Sequence, residues 1–234
     1  MNHVNKVYKS LRKGHKKTKK MRNKMVLLAI VMIASVANVW SQTASTEEVY
    51  GTRWGIKGGI NVATINFENG NNSISMESVA GAVAGVTLEH PFTPKWFFHS
   101  GLELSMKGFE ISLGGSKVTS TAIYMLLPAA VGYKFDIGKG WKIEPRLGLF
   151  LAYGIAGNTS ASVSGGSGSV STFGEKILTP FDGGAMFGCF FDNNKIVIGV
   201  HGEQGLTETN SDNFKVTGAK AHSNNVSITV GYLF

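Results

Sequence analysis

The sequence predicts an all-β fold: an eight-stranded antiparallel transmembrane β-barrel with short periplasmic turns and long extracellular loops. Three observations predict it. Past residue 52, eight segments alternate apolar and polar residues with period two, and none sustains the period of a helix. The connections between them run short, long, short, long, the layout of an outer-membrane barrel. Each clear segment has one apolar face and one charged face, and is about ten residues or longer, enough to span a bilayer when tilted.

The chain starts with a different kind of sequence. Residues 1–24 hold ten of the 23 Lys and Arg and none of the 15 acidic residues. The positive net charge therefore belongs to a leader, and a nucleic-acid partner is not expected. The basic run "KSLRKGHKKTKKMRNK" is followed by the uncharged "MVLLAIVMIASVANVW" and by small polar residues, the order of a secretory signal peptide. Val39 and Ser41 suit cleavage before Gln42. The expected organisation is a signal peptide over 1–41, a short periplasmic segment over 42–51 and a barrel over 52–234. The long basic region leaves Met1, Met21 and Met25 all open as start sites. No cysteine near the cleavage zone suggests a lipid anchor, and the single Cys189 has no intramolecular partner.

The strands follow in order. "RWGIKGGINVATI" sets Trp54, Ile56, Ile60 and Val62 against Arg53, Lys57 and Asn61. "VAGAVAGVTLEH" is low in contrast and ends near Glu89. "WFFHSGLELSMKGF" sets Phe98, Leu102, Leu104 and Met106 against His99, Glu103, Ser105 and Lys107. "TAIYMLLPAAVGYKF" leads to Lys134. "WKIEPRLGLFLAYGIAG" opposes Ile143, Leu147, Leu149, Leu151 and Tyr153 to Lys142, Glu144, Arg146 and Gly148. "TPFDGGAMFGCFFD" contains Asp182, and "KIVIGVHGEQGLT" opposes Ile196, Ile198 and Val200 to His201 and Glu203. "NNVSITVGYLF" closes the set with Val226, Ile228, Val230, Tyr232 and Phe234 on one side. The connections "PFTPK", "DIGKG" and "DNNK" read as tight turns. "ENGNNSISM", "EISLGGSKV", "NTSASVSGGSGSVSTFGEK" and "ETNSDNFKVTGAKAH" read as long loops, with "GGSGS" as a loop tip. Aromatics at strand ends (Trp54, Trp96, Phe97, Tyr133, Trp141, Phe191, Tyr232, Phe234) suit interfacial girdles.

These motifs carry a resemblance. In order and spacing, "WGIKGGINVATI", "GLELSMKG", the Pro-containing "IYMLLPAAVGYKF", "IEPRLGLFLAYGI", "FDGGAMFGCFF", "HGEQGLTETN" and "VSITVGYLF" are similar to the PorT-like outer-membrane β-barrel family of the Bacteroidota, over nearly all of 52–234. The resemblance implies an outer-membrane location, outer-membrane lipids and lipopolysaccharide as surroundings, and no single activity. One member assists protein secretion, but no residue here carries that role over. Membership in the barrel class implies that a terminal aromatic strand, here with Tyr232 and Phe234, is the signal read by the barrel assembly machinery.

The charged face is the chemical question. It holds Arg53, Lys57, Glu89, Glu103, Lys107, Lys134, Lys142, Glu144, Arg146, Asp182 and Glu203, with His99 and His201. An eight-stranded barrel is just wide enough for side chains to fill, so these residues are expected to form a paired charge network plugging the lumen. A narrow channel for small solutes, a role in secretion and a lipid-modifying enzyme are the alternatives. The enzyme reading rests on His99, Glu103, Ser105, His201 and Glu203. It lacks a nucleophile elbow, and "HGE" lacks the further cysteines of a zinc deaminase. The expectation is a structural or surface-binding protein, not an enzyme, with no cofactor and no metal.

Overall fold

The computed structural model describes residues 51–69, 72–113, 116–163, 166–173, 178–207 and 220–234. The leader and the start sites fall outside them. The strands are β1 (Arg53–Asn69), β2 (Asn72–Ser75), β3 (Glu77–Pro91), β4 (Trp96–Leu113), β5 (Ser116–Tyr133), β6 (Phe135–Gly138), β7 (Trp141–Val163), β8 (Gly166–Ser171), β9 (Phe181–Asp192), β10 (Ile196–Gly205) and β11 (Lys220–Leu233). Eight of them form a closed antiparallel ring in the order β1, β3, β4, β5, β7, β9, β10, β11. The ring shuts because β11 pairs back onto β1, in unbroken register from Gly55↔Leu233 to Glu68↔Lys220. Closure leaves no edge within the ring.

One end of the ring is made of tight turns. Between β6 and β7, Gly138, Lys139 and Gly140 all take positive φ, and the Asp136 carboxylate accepts a 2.8 Å bond from the Gly138 amide. Asn194 takes φ 56° between β9 and β10, a conformation that Asn tolerates.

The other end differs from the sequence reading. Much of three expected loops is strand, and most of the fourth, "ETNSDNFKVTGAKAH", lies outside the described residues. In "ENGNNSISM", β1 pairs with β2 from Asn66↔Ser75 to Asn69↔Asn72. "EISLGGSKV" continues the β4–β5 ladder out to Leu113↔Ser116. β7 runs on through "NTSASV" to pair with β8, so most of "GGSGS" lies in a strand instead of a loop tip. The cause is local: Ile111, Val118, Thr119, Thr121 and Thr159 suit a pleated surface and have partners opposite them. A bulge also sits where Ile123↔Ala156 gives way to Tyr124↔Gly154. The extra residue, Ile155, reverses the parity of β7 above it.

The outer face is apolar on all eight strands. Ile60, Leu147, Leu149 and Val226 are each more than half exposed, as are Ile228 and Val230 on β11. The inner face is crowded. A side chain at Gly59 would meet the Ile228 carbonyl, and one at Gly184 the Gln204 carbonyl, so glycine is required where neighbouring strands approach closely. Pro128, with no N–H to give, sits where the β4–β5 pairing skips from Ser100↔Ala129 to Glu103↔Leu126. There Ser100 Oγ donates to the Pro128 carbonyl at 2.8 Å.

Candidate functional site

The alternation of each strand sends its polar side chains into the lumen, which is layered. The floor, at the turn end, is ionic. Arg146 Nη2 lies 2.7 Å from Glu89 Oε1 and 2.6 Å from Glu144 Oε2. Arg53 Nη2 lies 2.6 Å from Glu89 Oε2 and 3.1 Å from Asp192 Oδ2. Lys134 Nζ sits among the same carboxylates, 3.3 Å from Glu144, 3.7 Å from Glu89 and 3.8 Å from Asp192. Three cations thus meet three carboxylates, and aromatic faces complete the shell. Phe97 lies under Lys134 at 4.7 Å and under Arg146 at 5.2 Å, and Phe190 lies 4.1 Å from Arg146. Desolvated cation–π contacts of this kind contribute about 2 kcal/mol each.

The middle layer is a second network. Lys57 pairs with Glu103 at 2.6 Å. Lys107 pairs with Glu203 at 2.8 Å and Asp182 at 3.4 Å, over the rings of Phe150 and Tyr124. Ser223 Oγ donates to Asp182 at 2.5 Å, and Asn61 donates to Asn225 at 2.9 Å. Toward the hairpin end the lumen turns apolar, with Ile65, Phe109, Leu178 and Ala221 packed together. Along β5, β7 and β9 one side of the lumen is filled by Tyr124, Leu126, Phe150 and Met186.

The twelve residues singled out from the sequence (Arg53, Lys57, Glu89, His99, Glu103, Lys107, Lys134, Glu144, Arg146, Asp182, His201 and Glu203) are all placed in this lumen. Lys142 is not; it stands at the rim, and its Nζ donates to Asn194 Oδ1 at 2.6 Å. Beyond the twelve, the lumen holds residues that the alternation alone does not single out, two of them in the ionic floor against their expected place. Asp192 opens the "DNNK" turn, yet its carboxylate is fully buried. Phe97, whose place at a strand start suits a girdle, is fully buried in the floor instead. Its parity with His99 and Glu103 was the signal that places it inside. The outer aromatics do cluster at the turn end: Trp96 meets Tyr133 edge-on, Tyr133 lies tilted against Phe135, and Tyr232 meets Phe234 edge-on at 5.4 Å between ring centres.

No serine–histidine relay is assembled from the candidates. His99 Nδ1 lies 3.0 Å from Arg146 Nη1. A guanidinium only donates, so this nitrogen is the acceptor and is not free to take a proton from a nucleophile. Neither ring nitrogen of His201 has a hydrogen-bond partner among the described residues. Ser105 Oγ accepts from Asn61 at 3.3 Å. The carboxylates of Glu89, Glu144 and Asp192 converge within 4.8 Å, a donor set suited to a hard cation. Their charge is already met by Arg53, Lys134 and Arg146.

Comparison with known proteins decides the family. Residues 40–211 match the model of the outer membrane protein beta-barrel domain family. The chain belongs to that family. As an outer-membrane barrel it sits in the bacterial outer membrane, and its apolar outer face is the lipid-facing one. Solved structures similar to it include Ail, the attachment invasion locus protein of Yersinia pestis, at 15% identity over 77% of this chain and 98% of that one, with a TM-score of 0.36. Neisserial surface protein A is 12% identical over 79% and 99%, at 0.41. The outer membrane protein OprG of Pseudomonas aeruginosa is 14% identical over 79% and 96%, at 0.34. No curated protein matches the chain.

Proposed function

We propose that the protein is a sealed surface anchor, with a structural or surface-binding role and a lumen plugged by its own charged side chains. The observation that supports this is the filling of the lumen. Two cavities between the described residues measure about 20 and 10 Å³, the first large enough for one water. The ionic floor and the apolar top stand in series with them. Among the described residues no geometry favours a solute channel, a lipid-modifying enzyme or a secretion partner over this reading. Planar-bilayer recording tests it: purified barrel is expected to be electrically silent, and steady conductance would overturn the reading.

In this proposal the tight turns face the periplasm and the extended hairpins face outward, as the turn-length asymmetry of outer-membrane barrels suggests. Both chain ends then lie on the periplasmic side, after a signal peptide over 1–41 cleaved before Gln42 and a short segment over 42–51. The PorT-like subfamily is the finer placement that the order of motifs supports. Lipopolysaccharide and phospholipid surround the barrel, and Tyr232 and Phe234 form the signal read by the assembly machinery. Deleting Phe234 is expected to lower the membrane-assembled amount severalfold in cells, while molecules that do assemble keep the heat-dependent gel shift of a closed barrel. Assembly at the wild-type level would remove the signal role.

A further inference from the structure

Where β4, β5, β7 and β8 extend beyond the ring, they form one sheet. Cross-strand register fixes which side chains share its outer face. Thr121, Asn158 and Ser171 form a row across β5, β7 and β8, and Thr119, Ser160 and Ser169 form the next. Strand spacing of about 4.8 Å and a same-face repeat of about 6.8 Å turn these rows into a flat lattice of hydroxyl and amide groups. Asn158, Ser160, Ser169 and Ser171 are exposed. Glu77 and Glu110 stand in the same row as Thr119; Lys117 Nζ lies 2.7 Å from Glu110 Oε1, and the Thr119 hydroxyl donates to Glu110 Oε2 at 3.0 Å. Among the described residues two carboxylates and one ammonium leave this face net negative, which repels a phosphate.

Its position selects its neighbour. Thr121 is two residues beyond the lipid-facing Ile123 on the same side of the same strand. The β7 bulge turns Asn158 and Ser160 to that side, above lipid-facing Tyr153. Without the bulge, Thr159 would face outward and these two inward. The lattice therefore begins where the lipid band ends, and what lies beside it is the headgroup layer of the outer leaflet. We infer that this face is a carbohydrate-binding surface for the core oligosaccharide of surrounding lipopolysaccharide. Sugar hydroxyls donate and accept as Ser and Thr hydroxyls do, and a face with an excess of negative charge favours sugars over the lipid A phosphates. The inference rests on the surface-binding reading above and on its assignment of the hairpins to the cell exterior.

The test uses the full barrel in detergent, with two probes: core oligosaccharide released from rough lipopolysaccharide by mild acid, and lipid A without core. Wild type is expected to bind the oligosaccharide in a titration followed by native mass spectrometry. Val suits exposed strand positions, so the triple variant T119V/S160V/S169V is expected to keep its gel shift. It is expected to bind the oligosaccharide at least tenfold more weakly, since each lost hydrogen bond is worth about fivefold. The variant T119S/S160T/S169T, which keeps every hydroxyl, is expected to bind as wild type does. If the triple variant fails to fold, S160A/S169A takes its place, with a loss of tenfold or more expected. Equal binding by wild type and hydroxyl-free variant, lipid A bound in preference to the oligosaccharide, or no binding by wild type would each overturn the inference. A barrel that stays silent in planar bilayers through those outcomes leaves the sealed-anchor reading standing.

Discussion

Replacing Arg146 by Met is expected to destabilise the barrel by about 3–5 kcal/mol, the range for removing one partner of a buried ion pair. Met keeps most of the volume, so the loss is electrostatic. Glu89 and Glu144 each lose a bond shorter than 2.8 Å. The floor goes from balanced to one negative charge in excess, with only Arg53 and Lys134 left to meet three carboxylates. The measurement is the denaturant midpoint of the gel-shifted form in detergent. Adding Glu144→Gln to the variant should recover part of the loss, because it restores the charge balance. An unchanged midpoint in Arg146→Met would mean that water or lipid headgroups, not the network, hold these carboxylates.

The second large effect is expected at Phe97. Truncation to Ala costs about 3–5 kcal/mol for a buried Phe, and here it also takes the aromatic face from Lys134 and Arg146. Phe97→Leu separates the two terms. It restores most of the volume but not the π face, and should recover most but not all of the stability. A double-mutant cycle with Arg146→Met should show coupling of about 0.5–3 kcal/mol, as for groups in direct contact. Zero coupling would make Phe97 a space filler only.

Parity is what made the lumen legible. Residues such as Arg53, Lys57, Glu103 and Lys107 alternate with large apolar neighbours, and a closed sheet sends every second residue inward. Asp192 was hidden because Asp followed by two Asn is a turn signal, and turn residues are normally solvated. In the fold the carboxylate reaches back into the floor to meet Arg53. Lys142 has the inward parity but lies one pair from the turn, where its long side chain reaches Asn194 at the rim instead. The bulge at Ile155 could not be read from sequence at all, since a single extra residue leaves the alternation on either side intact. The hairpin extensions were misread for a related reason. Ser, Gly and Asn are turn formers in isolation, and their strand state in β7 and β8 comes from the partner opposite, a non-local cause.

The seam between β1 and β11 has a consequence in time. Its fourteen register pairs, from Gly55↔Leu233 to Glu68↔Lys220, join the first and last strands of the domain. None of them can form until every intervening hairpin is in place, so closure is the last event and the slow one, as for other pairings of high sequence separation. Until then β1 and β11 are two unsatisfied edges in a medium that offers them no water. A nascent barrel has to be held open by something that pairs with those edges and then lets go, and the length of this seam sets how firmly the finished ring resists being unzipped.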